Sequence, residues 1–184
     1  MKVGTKSLLF GVHCFWFHPL TVFIAWVELY GLPNWKECIC IFIHDWGYWG
    51  CDNMDGVNEG ADHPYLAARI AYKYLDNGVG WMTTENSYSA MCLYHSRRTA
   101  KVYNVTPSKL CWADKYSIRY DPEIFYLLRA NGSGEIKEYR KHADEFGEIT
   151  LNMSNSKWYW WSRNRMIRKV ITTDKTSLYG GSVS

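Results

Sequence analysis

The sequence predicts an all-α, single-domain helical bundle, and three observations predict it. Apolar stretches of helical length recur along the chain, each opened by proline or a small polar residue and closed by glycine or asparagine. One of them, Trp35 to Asp45, is apolar nearly all round, the signature of a helix at the centre of a bundle. Finally, 184 residues with 47% hydrophobic and 17% aromatic content match one domain with a sizeable core.

Taken in order, Ser7 to Phe17 is apolar and mixed, compatible with a short helix or a strand-like segment. His18-Pro19 opens a helix over Leu20 to Tyr30. Proline stands where its missing N–H costs nothing, and Gly31 supplies the stop. Leu32-Pro33-Asn34 is a turn before the central helix. Trp46 to Ala61, rich in Gly, Asp and Asn, reads as a loop, and Asp52, Asn53 and Asp55 lack the spacing of a calcium-binding loop. Asp62-His63-Pro64 starts a helix from Tyr65 to Leu75, closed near Asn77-Gly78, with a linker at Gly80 to Thr84. Glu85 to Tyr103 is expected as one long amphipathic helix with His95 in its middle, which puts His95, Arg98 and Thr99 on one face. Thr106-Pro107-Ser108 restarts a helix to Tyr120, Asp121-Pro122-Glu123 another through Leu128, and Ser133-Gly134-Glu135 a polar one ending near Gly147. A basic and aromatic segment, 155–184, closes the chain, and its residues after Thr172 read as a frayed tail.

Composition narrows the function. Net charge +3 is too small to imply a nucleic-acid partner by itself, but Lys157 to Lys175 carries a local +5 and leaves the rest near −2. Trp158, Trp160 and Trp161 interleave there with Arg163, Arg165 and Arg168, a pattern that suits nucleic-acid contact or an amphipathic helix laid on the body of the protein. The six cysteines contain no CxxC pair and read as free thiols in a reducing, cytoplasmic setting. The uncharged stretch between Lys6 and Glu28 approaches the length of a membrane span. His13, His18 and Pro19 interrupt it, so a buried helix is expected rather than a membrane segment.

The chemistry gathers at Ile43-His44-Asp45-Trp46-Gly47, where the central apolar run ends in histidine and aspartate side by side. Adjacent residues on a helix diverge by about 100°, so both reach one centre only where the helix stops, a stop expected from Gly47. A buried unpaired carboxylate is costly, and a cation removes the cost. Imidazole with carboxylate suits Zn, Fe, Mn, Ni or Co. His18, His63 and His95 surround this pair in the chain, and Asp114 follows in Cys111-Trp112-Ala113-Asp114-Lys115, again within an apolar run.

The order H…HD…H…H…D resembles the HD superfamily of metal-dependent phosphohydrolases, in particular its two-metal members, over roughly residues 13 to 120. That resemblance implies an HD-type helical bundle and a phosphodiesterase or phosphohydrolase acting on a nucleotide or cyclic nucleotide. It implies two divalent ions (Mn, Fe, Ni, Co, Zn or Mg), one held by His18, His44, Asp45 and Asp114 and one by His63 and His95. Asp45 would bridge both ions and the hydroxide between them that attacks phosphorus. Arg97, Arg98 and Lys115 are the candidates for holding phosphate oxygens. The chain departs from His-Asp-x-Gly-Lys, having Tyr48 at the lysine position, and it lacks a Gly-Tyr-Pro motif. Two other functions share this ligand pattern: a metal- and nucleotide-binding module with little turnover, and a two-metal oxygenase.

Overall fold

The structure, a computed structural model, describes residues 1–54, 59–78, 87–143 and 150–173, except the side chain of His142. Among these residues the fold is all-α. The helices are α1 (Val3–Phe10), α2 (His18–Tyr30), α3 (Trp35–Ile43), α4 (Pro64–Tyr74), α5 (Tyr88–Leu93), α6 (Arg97–Val102), α7 (Lys109–Ser117), α8 (Glu123–Ser133), α9 (Glu135–His142) and α10 (Asn155–Thr172). Short 3₁₀ turns lie at Trp46–Tyr48, Glu59–Asp62 and Ile118–Tyr120.

Local chemistry explains the well-punctuated helices. Asn34 caps α3 by accepting from the N–H groups of Lys36 and Glu37, while the Glu37 carboxylate accepts from the Asn34 N–H at 2.7 Å. Gly31 ends α2 at φ +83°, a conformation glycine adopts without a Cβ penalty. The ambiguous N-terminal stretch resolves into α1 followed by a turn. The buried Arg129 guanidinium on α8 pins that turn by donating to the carbonyls of Gly11 and Val12, each at 3.0 Å.

The long helix expected over Glu85 to Tyr103 is not formed. It divides into α5 and α6 around Tyr94, His95 and Ser96, and residues 85 and 86 lie outside the described part. The break is stable because its backbone groups find other partners. Ser96 caps α6 through the Thr99 N–H, the Ser108 hydroxyl donates to Met91 O at 2.8 Å, and the Ser108 N–H donates to Tyr94 O at 3.0 Å. Other boundaries also shift. α3 stops at Ile43, α7 gives way to a 3₁₀ turn after Ser117, and α8 runs on to Ser133. The expected linker at Gly80 to Thr84, Asp55, the end of the polar helix near Gly147 and the tail beyond Thr173 fall outside the described residues.

Among the described residues a small apolar cluster of Leu8, Tyr48 and Met54 ties α1 to the turn after α3, and two larger cores hold most other elements. The larger joins α2, α3, α4, α5 and α7 through side chains such as Val22, Trp26, Ile41, Ala67, Leu93 and Leu110. The smaller joins α8, α9 and α10 through Tyr126, Ala130, Ile136, Trp158 and Tyr159. Within the larger core the most extensive helix pairings are α4 with α5 and α2 with α7, and α3 touches members of both pairs. No described helix is long and apolar enough to cross a membrane, and all six cysteines are free.

Candidate metal centre

Each pairing delivers two ligating side chains to the end of α3. From α2 and α7 come His18 and Asp114. His63 just before α4 and His95 just after α5 supply the other side, and His44-Asp45 lies between them. All six are buried, Asp114 being the most exposed at 9%.

His18 Nε2 lies 3.2 Å from Asp45 Oδ2, 3.2 Å from Asp114 Oδ1 and 3.3 Å from His44 Nε2. His44 Nε2 is 3.1 Å from Asp45 Oδ2. On the other side His63 and His95 face each other with their Nε2 atoms 2.9 Å apart, and Asp45 Oδ1 lies 3.8 and 3.6 Å from those two atoms. The two oxygens of Asp45 therefore point to different sets of ligands.

Three of the histidines share one device. His44 Nδ1 donates to Ile41 O, His63 Nδ1 to Gly60 O and His95 Nδ1 to Cys92 O, at 2.7, 2.7 and 2.5 Å, in each case to the carbonyl three residues earlier. A carbonyl only accepts, so the proton sits on Nδ1 and the Nε2 lone pair faces the centre. Two such lone pairs confront each other between His63 and His95. That arrangement becomes favourable when a cation or proton lies between them.

Charge is arranged to match. Burial opposes the charged form of His18, but the carboxylates of Asp114 and Asp45 close beside it outweigh burial and raise its pKa to about 10. Burial also opposes the Asp114 carboxylate, which Lys115, donating to Oδ2 at 2.9 Å, and His18 hold well below the usual range. Asp45 is held low in the same way, against burial, by the surrounding imidazoles of His44, His13 and His18. For His44 burial wins over Asp45 and lowers its pKa.

These residues fit a metal ion. Asp45 Oδ2 is fully buried with no hydrogen-bond partner, an expense that a cation among His18, His44 and Asp114 removes. The groups His18, His44 and Asp114, and His44, Asp45 and His95, each bring three ligand atoms within 4.8 Å of one another. Carbonyl partners on the outer nitrogens are what metal-bound imidazoles require for orientation. A helical chain with such a cluster is compatible with an HD domain.

No family model, curated protein or solved structure matches this chain. Its chemistry therefore rests on its own residues.

Around the centre, Arg97, Arg98 and Lys115 line a pocket of about 260 Å³ together with Asp45, His63 and His95. Arg97 reaches it as well as Arg98 because α6 begins afresh at Arg97; the helical spacing expected to set Arg98 alone beside His95 does not apply. Gly47 is not the left-handed stop expected of it. A Cβ there would meet His63 O at 2.0 Å, so its role is to let the backbone carrying His63 close on the His44-Asp45 segment. Tyr48 is buried and stacks on the His63 ring, 4.0 Å between centroids and 16° between planes.

Sequence reasoning missed His13 and Glu135. The fully buried Glu135 accepts from the Val12 N–H and the Ser7 and Ser133 hydroxyls, and it pairs with His13 Nδ1 at 3.0 Å. Burial raises the Glu135 pKa less than His13 and the hydroxyls lower it, and His13 shifts upward under Asp45 and Glu135 despite burial. The His13 ring meets His18 edge-on at 5.2 Å, which braces that ligand from behind. The usable signal was a charged residue immediately after a Ser-Gly helix stop.

In α10, Trp158 is buried and Trp161 is packed against the smaller core, whereas Trp160 is 45% exposed and donates to Glu123 at 2.8 Å. The segment lies on the body of the protein with Arg168 and Lys169 exposed.

Proposed function

We propose that this protein is a metal-dependent phosphohydrolase or phosphodiesterase that cleaves a phosphoester of a nucleotide or cyclic nucleotide. The observation that carries the reading is the division of Asp45, with Oδ2 beside His18 and His44, which also meet Asp114, and Oδ1 toward His63 and His95. A single carboxylate so placed would help to hold an ion in each group of ligands, and the ligand order resembles that of two-metal HD phosphohydrolases. Two such ions, of the Mn, Fe, Ni, Co, Zn or Mg type, supply an activated water and Lewis-acid stabilisation of charge on phosphorus-bound oxygens.

The chain's own residues do the rest. The three Nδ1-to-carbonyl bonds hold the imidazoles so that ligation costs little reorganisation. Tyr48 fixes the His63 plane from the pocket side. Lys115 and Arg97 bring positive charge to the pocket wall, where non-bridging phosphate oxygens would lie, and Arg98 adds a third cation at the mouth. The reaction adds water across the ester: oxygen bonds to phosphorus in line, the P–O ester bond breaks and the alcohol departs with a proton.

The test combines metal analysis of the purified chain with a panel of aryl phosphodiesters, nucleotides and cyclic nucleotides in added manganese. About two metal ions per chain and turnover of at least one phosphoester are expected. Bound metal with no turnover across the panel would make the protein a binding module. Oxygen uptake with iron bound, and no phosphoester cleaved, would make it an oxygenase.

A further inference from the structure

A second cavity of about 330 Å³ adjoins the metal-side pocket, and the two share His13, Arg97, Asp114, Lys115 and Met166 as common walls. A molecule lying along these shared walls would reach both. The far walls differ in kind from the metal side: Trp158 and Trp161 from α10, Tyr126 from α8 and Tyr139 from α9. Trp158 lies nearly parallel to Tyr139, 6° between planes, and the Arg165 guanidinium sits over the Trp161 ring at 5.4 Å. The Ser162 hydroxyl lines the same space and offers both a donor and an acceptor.

We propose that this aromatic chamber seats the nucleobase of the substrate, with Trp161 as the specificity-determining residue and Arg97 and Lys115 holding the phosphate at the junction. The inference rests on the phosphohydrolase reading and extends it to a substrate class, a mononucleotide-sized phosphoester carrying a planar base. Size supports it, since adjoining spaces of about 260 and 330 Å³ are of the scale of small-molecule sites. The chemistry of the walls does too: indole and phenol faces stack on any base, and a guanidinium over an indole polarises the stack. Among the described residues the chain offers no exposed ladder of rings to a polymer. Trp158 is buried and Trp161 half-buried, and only Trp160 of the three is a largely exposed ring, already bonded to Glu123.

The chamber is tested on the full chain by calorimetric titration with adenosine and with ribose, ligands that contain no phosphoester. In parallel, KM is measured for adenosine 5′-monophosphate and ribose 5-phosphate. Adenosine should bind at least about ten-fold more tightly than ribose. Trp161→Ala should weaken adenosine by about ten-fold and raise KM for the nucleotide alone, and Trp161→Phe should restore most of the loss. Metal content, unchanged in both variants, shows that they fold. Adenosine no tighter than ribose, or equal affinity in Trp161→Ala, overturns the chamber, as does a single-stranded oligonucleotide binding ten-fold more tightly than adenosine. Adenosine binding with no phosphoester hydrolysed keeps the base site and overturns the phosphohydrolase reading instead. Hydrolysis with the same KM for both phosphates leaves that reading standing and removes the chamber.

Discussion

The two halves of the metal centre are built by the same device, a tightly packed helix pair, yet they solve opposite electrostatic problems. In the α2/α7 half, Asp114 stands between Lys115 and a His18 whose pKa is raised to about 10, so each of its charges has an opposite charge beside it. The half next to α4 and α5 presents two imidazoles, Nε2 to Nε2 at 2.9 Å, with both outer nitrogens committed to carbonyls. The first half holds itself together and offers ligands as a consequence. The second would gain most from a cation between its two nitrogens. Asp45 is the only carboxylate among the described ligands that reaches both, which makes it the point where the comparison can be broken.

The largest effect is therefore expected from Asp45→Ala, which should abolish metal binding in both halves and all hydrolysis; an active Asp45→Ala protein would end the mechanism. The halves themselves are separated by Asp114→Asn and His95→Gln, melted in the presence of a chelator. Asp114→Asn takes from His18 one of its two carboxylates and from the partly exposed Lys115 its partner, and should destabilise by about 1–3 kcal/mol, several degrees in Tm. His95→Gln should leave the chelated protein as stable as before while lowering metal content by about one ion per chain. Equal loss of Tm in both variants would erase the distinction.

Next comes the contact that joins the halves. Gly47→Ala drives a Cβ against His63 O, which should cost about 1–3 kcal/mol and weaken metal binding on the His63 side. Smaller again is a pH effect peculiar to the first half. Because the pKa of His18 is raised, its stabilising contribution is fully present below about pH 6.5 and is lost as pH rises through about 10. With chelator present, the Tm difference between wild type and His18→Gln should shrink from pH 8 to 10.5, and a constant difference would refute this account. The smallest change is expected from Arg98→Ala, exposed at the pocket mouth: KM several-fold higher, metal content intact by elemental analysis.

Much of the fold was readable because it is written in local chemistry. Asn34 with Glu37, Pro19 and Pro64 at helix starts, and Gly31 at a stop act on their own few residues, and the helices they bound fall where expected to within about two positions. The break at His95 was hidden because apolar spacing continues through it. What pays for the interruption is Ser108, on a segment brought alongside only by folding. Likewise Gly47 looked like a helix stop when considered with its neighbours, and only the approach of the His63 backbone, 16 residues on, reveals its function.

The sequence alone determined the helical class and the ligand types, since capping and burial of a charged side chain in an apolar run are properties of short stretches. Tertiary structure decided everything that depends on distance. It set the split of Asp45 between two groups of candidate ligands, braced His18 through His13 and Glu135, and laid α10 on the body of the protein with Trp158 and Trp161 among the walls of a cavity. The physical reason is range: backbone propensities act over a turn or two of chain, whereas Coulomb forces, packing and hydrogen-bond satisfaction act between whatever the fold brings within a few ångströms.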